Sequence, residues 1–367
     1  MSGIVEVDAM KDVFIYAGAN RWGGGGSQTA KPDTLGGVFR LRLGDNSWRH
    51  MMSGFPEVVH VHCIVVHPDD PSVVFCGTHE SIYRSSDFGE TWTAMIMEPM
   101  NRQIWSISFD PQNRSRMYAG ASPSGIYRSD DGGRNWREVP TGRIPDRLSM
   151  GTFKNRVMRI AVDPVDSNKI CAGLEVNGAA SSEDGGDHWV DRSDSLMQLA
   201  SAPNRKSRIL TDSDEEGMLD VHAVCISPVG DRPAFLANRM GIFTSTDNGR
   251  SWSDLEVGRW SEYTYGRDVR ASVCEPGVVY AALSVSSQGS TGSVARSDDH
   301  GNSWTRIDRD VNVESTVTSV AQHPSRPEII FFAARRGQVF GTENGGRTWQ
   351  SYPLPSGVIG VYAVTCA

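Results

Sequence analysis

Five octapeptides in this chain follow one pattern, S-x-D-x-G-x-x-W: "SSDFGETW" from Ser85 to Trp92, "SDDGGRNW" from Ser129, "SEDGGDHW" from Ser182, "STDNGRSW" from Ser245 and "SDDHGNSW" from Ser297. A weakened copy, "TENGGRTW", ends at Trp349, and a remnant, "LGDNSW", ends at Trp48. Seven tryptophans therefore stand in register (Trp48, Trp92, Trp136, Trp189, Trp252, Trp304 and Trp349), 44 to 63 residues apart. A second pattern fills the intervals: "HCIVVHPDDPSVVFCGTHESIYRSSDFGETW" aligns with "WSISFDPQNRSRMYAGASPSGIYRSDDGGRNW". Each unit reads as an apolar run ending near a proline, a turn, a second run, a third strand and the box leading into a fourth. Strands at this period, with almost no helical periodicity, have the length of one propeller blade.

The expected fold is therefore all-β: a seven-bladed β-propeller of four-stranded antiparallel blades, one domain over residues 1–367. The chain opens on a second-strand pattern, "DVFIYAG", and closes on a first-strand pattern, "GVYAVTCA". The C-terminal strand should complete the N-terminal blade and remove the free sheet edge. The boxes have a mechanical reading in this frame. Aspartate accepts backbone N–H bonds that hold a tight turn, glycine supplies a positive φ, and the tryptophan starts the last strand and packs between blades.

These S-x-D-x-G-x-x-W units resemble the Asp-box (BNR) repeats of sialidases, xyloglucanases, sortilin-type receptors and photosystem II assembly propellers. The resemblance covers nearly the whole chain. It implies the propeller fold, and its members include glycosidases, receptors and assembly factors, so it does not by itself choose a function.

A formal charge of −8 without a basic arm argues against nucleic acid as partner. No apolar run approaches the ~20 residues of a membrane-spanning helix. The N-terminal "MSGIVEVDAMKDVF" does not read as a signal peptide. The six cysteines sit mostly in apolar runs with no CxxC pair, as buried thiols of a reducing compartment would. The expected location is the cytoplasm. No nucleotide or flavin signature is present.

In a propeller the first strands line the central channel. Counting six residues back from each first-strand proline gives His62, Trp105, Met158, His222, Arg270 and Thr318, with Tyr362 added from the last strand. Two residues earlier, on the same strand face, come His60, Gln103, Arg156, Asp220, Asp268 and Thr316. The loops after the second strands add Asn20, Arg21, His79, Glu175, Arg239 and Arg335 to the same mouth. The catalytic candidates are His62, His222, Asp220, Tyr362 and Glu175. Those for substrate binding are Arg21, Arg156, Arg239, Arg270, Arg335, Trp105, His60 and His79.

Arginines converging on one mouth of an acidic protein suit a carboxylate or phosphate. An Asp-x-His or His-x-His pair can orient a general base, or supply metal ligands, in which case His60, His62 and His222 would hold a divalent ion. Long insertions at residues 21–37, 140–156, 194–220 and 258–270 read as walls around a covered site. The only "RIP", Arg143 to Pro145, lies mid-chain, unlike the N-terminal Arg-Ile-Pro of sialidases. The expectation is a cytoplasmic hydrolase or lyase taking a small or medium anionic substrate in the central pocket, without redox chemistry. Two alternatives stand beside it: a non-catalytic propeller that grips a partner protein with an arginine-rich face, and a sialidase- or xyloglucanase-like glycosidase.

Overall fold

The computed structural model describes residues 12–22, 33–142, 144, 154–202, 213–230 and 232–367. Seven antiparallel sheets form a ring, and six of them have four strands. In blade 2, for example, Val61–His67 lies innermost, followed by Asp70–Thr78, Ile82–Ser85 and Thr93–Ala94. Blade 3 gains a fifth strand, Ile96–Glu98, which runs parallel to the outer strand Asn135–Val139. Blade 1 is closed as expected. The C-terminal strand Gly360–Cys366 pairs with Phe14–Asn20, and Phe14 and Ala367 exchange backbone hydrogen bonds at 2.8 and 3.0 Å.

The apolar cores lie between blades rather than within them. Tyr16 and Val38 of blade 1 pack with Val61, Val74 and Trp92 of blade 2. Phe331 and Val339 of blade 7 pack with Ile15 and Phe39 of blade 1, which completes the ring. Each box tryptophan fills such a joint: Trp136 packs with Phe75 of the preceding blade, and Trp189 with Tyr118.

The boxes are hydrogen-bonded turns. Ser129 Oγ donates to Asp131 Oδ1 (2.8 Å) and accepts from Gly133 N (3.0 Å). Asp131 Oδ1 also accepts from Arg134 N and Asn135 N, both at 3.0 Å, so the carboxylate reaches three and four residues on. Gly133 has a φ of +81°, and a Cβ there would stand 2.6 Å from the Phe75 ring, so only glycine fits. The sixth copy works because Thr342 and Asn344 present the same oxygens: Asn344 Oδ1 accepts from Thr348 N at 3.0 Å.

Every inner strand carries a β-bulge near its channel-mouth end, at His62, Trp105, Met158, His222, Arg267, Thr318 and Tyr362. A bulge re-aims its side chain out of the strand's alternation. Five of these are the positions counted from the prolines, and Tyr362 is the one added from the last strand; the exception is blade 6. There Ser272 N donates to Val278 O at 2.9 Å, as Ser227 N does to Pro233 O and His323 N to Ile329 O. Val273 thus stands where the other blades have proline, and counting from Pro276 slips by three residues. Arg267, not Arg270, occupies the bulge, and Tyr265, not Asp268, lies two residues before it.

Replacing Asp131 by Ala should lower the unfolding free energy by about 1–2 kcal/mol, seen as a lower urea midpoint. Asp131→Asn should keep most of that stability, because Asn344 already supports the same turn.

Candidate functional site

Three groups of side chains meet at the mouth of the channel. The first is an aromatic and imidazole wall. The His62 ring stacks on Trp105 (centroids 3.9 Å apart, 10°), and Trp22 lies 4.0 Å from His60. The Asn20 amide nitrogen is 3.2 Å from His62 Nδ1, which therefore accepts, leaving the ring proton on Nε2. Burial, then Arg156, His60 and His79, hold the His62 pKa well below its usual value. His60 accepts at Nδ1 from the Arg21 backbone N–H (3.1 Å). Burial, helped by His79 and Arg21, lowers its pKa to about 4. These rings are neutral at pH 7. Tyr362 meets the His62 ring edge-on at 6.4 Å.

The second group is a hydrogen-bonded cluster of carboxylates, imidazole and phenol in blades 4 to 6. His222 Nδ1 donates to Gly266 O at 2.7 Å, so Nε2 is the nitrogen that faces the cluster. It lies 3.1 Å from Asp220 Oδ2 and 3.2 Å from the Tyr265 hydroxyl. Arg239 Nε also binds Asp220 Oδ2, while its Nη1 reaches Glu216 at 3.0 Å. Burial opposes ionisation of Asp220, but His222 and Arg239 outweigh it and hold the carboxyl well below the usual carboxylate range. Asp220 Oδ1 is buried without a hydrogen-bond partner. Glu175, paired to Arg156 at 3.0 Å, joins Asp220 and His222 so that one potential ligand atom of each lies within 4.8 Å of the others. Among the described residues this trio, rather than His60, His62 and His222, is where metal-ligating groups converge.

The third group consists of Arg267 and Arg335, both more than nine-tenths buried. Arg335 lies over the Tyr362 ring at 5.4 Å, and its Nε has no hydrogen-bond partner. Arg267 has Tyr265, Glu175, Tyr362 and Asp220 as electrostatic neighbours.

Arg270 belongs elsewhere. Asp268 accepts from Arg270 Nε (3.0 Å), Arg159 Nη2 (3.3 Å) and the backbone N–H of Val320 (3.1 Å), which ties blades 4, 6 and 7 together. This knot is scaffold, and Arg270 is not a substrate-binding candidate. The Gly258–Arg270 stretch also packs as scaffold at Trp260, which stacks on the box residue Trp304 at 4.9 Å. Residues 23–32, 143, 145–153 and 203–212 of the other insertions, including Arg143 and Pro145, lie outside the described residues. Within the last insertion, short helices at Asp194–Ala200 and Asp214–Leu219 are described, and the second supplies Glu216. Sequence reasoning passed over Arg267, Tyr265 and Trp22. The first two could have been found by aligning blade 6 on its Ser272 turn instead of its proline.

The family model for Sortilin, neurotensin receptor 3 (Sortilin-Vps10) matches residues 80–224 and 292–363, more than half of the chain. The chain belongs to this family. A probable oligoxyloglucan-reducing end-specific xyloglucanase of Neosartorya fischeri is 35% identical over 122 residues, 32% of this chain and 15% of the relative. A xyloglucanase of Hypocrea jecorina is 24% identical over 272 residues, 66% of this chain and 32% of the relative. The chain thus spans about a third or less of the length of the curated relatives it matches. Among solved structures, the GH74 enzyme of Niastella koreensis superposes with a TM-score of 0.60 at 19% identity, covering 80% of this chain and 45% of that one. YCF48 from Cyanidioschyzon merolae gives 0.54 at 14% identity, covering 82% and 86%. At such identities these structures share the fold.

The imidazole wall has a pH signature. The folded state holds the His60 pKa near 4 against about 6.5 in an unfolded chain. Between those values the unfolded chain binds a proton that the folded chain refuses. The stabilising contribution is complete above pH 6.5 and is lost as pH falls toward 4. The melting temperature should fall across that window, and less steeply in His60→Gln.

Proposed function

We propose that this propeller is a glycoside hydrolase that cleaves its substrate in the central pocket, with Asp220 and Glu175 as the reacting carboxyl groups. The observation that carries the reading is the convergence of Glu175, Asp220 and His222 within 4.8 Å. Around them are polar atoms without hydrogen-bond partners: donors at Trp105 Nε1, His62 Nε2 and Arg21 Nε, acceptors at Asn20 Oδ1 and Asp220 Oδ1. Buried polar atoms ordinarily find partners. A polyhydroxylated sugar would supply both kinds. The xyloglucanases among the relatives support carbohydrate over a small non-sugar anion as substrate.

The chemistry divides between the carboxyls. Asp220, kept ionised by His222 and Arg239, faces the anomeric carbon with its open Oδ1. Glu175 exchanges the proton of the leaving-group oxygen, with Arg156 holding it in place. An approach of one oxygen of each carboxyl within 4.8 Å lets both act on a single glycosidic bond. His222 and Tyr265 position Asp220 and keep its charge in place. Arg267 and Arg335 are buried, and Arg156 and Arg239 are largely buried in ion pairs, which weighs against a partner-gripping scaffold.

The test is release of reducing ends from a panel of neutral and acidic oligosaccharides. Glu175→Gln and Asp220→Asn should each lower kcat by about 10²–10⁴-fold. A folded wild-type protein that cleaves nothing on the panel, or an Asp220→Asn variant with full activity, would overturn the reading.

A further inference from the structure

We infer that the sugar in this pocket carries a carboxylate, and that Arg267 and Arg335 bind it. The inference rests on the glycosidase reading and adds the substrate class. It begins from the pairing of charges around the mouth. Arg156 is matched by Glu175, Arg239 by Asp220 and Glu216, and Arg159 and Arg270 by Asp268. Among the described residues, Arg267 and Arg335 have no carboxylate within ion-pair distance, although their relative exposures are only 8% and 6%. They come from adjacent blades, Arg267 from the bulge of blade 6 and Arg335 from the turn after Ile330–Ala334 of blade 7. Burial first, and Arg267 in addition, pull the Arg335 pKa below its ordinary value.

Two buried guanidinium groups side by side are unfavourable unless something anionic joins them. The Tyr265 hydroxyl beside them does not fill that role, since burial pushes its pKa up to about 12 and keeps it neutral. An anion set between the two forks would satisfy both. It would lie beside the reacting carboxylates, because Glu175 and Asp220 are electrostatic neighbours of Arg267. Those same carboxylates favour a singly charged sugar carboxylate over a phosphate dianion. The charge pattern also weighs against a metal at Glu175, Asp220 and His222, since two unmatched cations adjoin that trio.

The experiment is a thermal-shift and calorimetric titration of the full chain with D-glucuronate, D-glucose and inorganic phosphate, in wild type, Arg335→Met and Arg267→Met. Glucuronate should raise the melting temperature of wild type, glucose at equal concentration should not, and either variant should bind glucuronate about tenfold or more weakly. Ligand-free Arg335→Met should melt no lower than wild type, because it loses an unmatched buried cation. A variant that melts well below wild type would assign the arginine to scaffold and overturn the inference. So would equal binding of glucose and glucuronate, or tighter binding of phosphate than of glucuronate. The two readings separate in turnover. Cleavage of neutral oligosaccharides at an unchanged kcat/KM in Arg335→Met sinks the carboxylate and leaves the hydrolase. Arginine-dependent glucuronate binding without cleavage of any glycoside sinks the hydrolase and leaves the carboxylate site.

Discussion

Each blade of this protein buries its apolar surface only against its neighbours, and the rest of the structure depends on that constraint. Phe75 has its partners in blade 3, Tyr118 in blade 4 and Phe331 in blade 1. An open arc of blades would leave two apolar faces in water. The pairing of Gly360–Cys366 with Phe14–Asn20 removes that problem by making the first blade out of both ends of the chain. The Ser–Asp–Gly turns serve the same end. They hold each tryptophan at the joint with the preceding blade, using hydrogen bonds that stay local to the turn.

A closed ring of identical joints leaves its centre free for chemistry. Bulges do the placing. In every inner strand one residue steps out of the alternation, and the set so displaced includes His62, Trp105, His222, Arg267 and Tyr362. Below this layer, the Arg159–Asp268–Arg270 knot fastens three blades across the channel with paired charges. Above it, satisfaction is incomplete. Asp220 Oδ1, His62 Nε2, Trp105 Nε1 and Arg335 Nε are buried without hydrogen-bond partners. These unpartnered atoms are what the proposed ligand site rests on.

The fold was legible because its signals are local and repeated. Trp92 through Trp349 report the blade period directly, and the strand patterns at the two termini report closure. Most of the candidate site was legible for the same reason: His62, His222, Asp220 and Glu175 fall out of aligning equivalent strands. Blade 6 was the exception, since Val273 replaces the marker proline there and Asp268 and Arg270 took the places of Tyr265 and Arg267.

The sequence by itself determined the all-β class, the number of blades, the ring closure and the scaffold role of the boxes. All of these follow from hydrogen-bonding and burial patterns that recur along the chain. Only the tertiary structure decided which arginines are matched. Arg156, Arg239 and Arg270 look equivalent to Arg335 in sequence, yet three are neutralised by Glu175, Asp220 and Asp268, while Arg335 meets Arg267 instead. Charge pairing depends on distances of a few ångströms between side chains of different blades. No spacing along the chain encodes those distances.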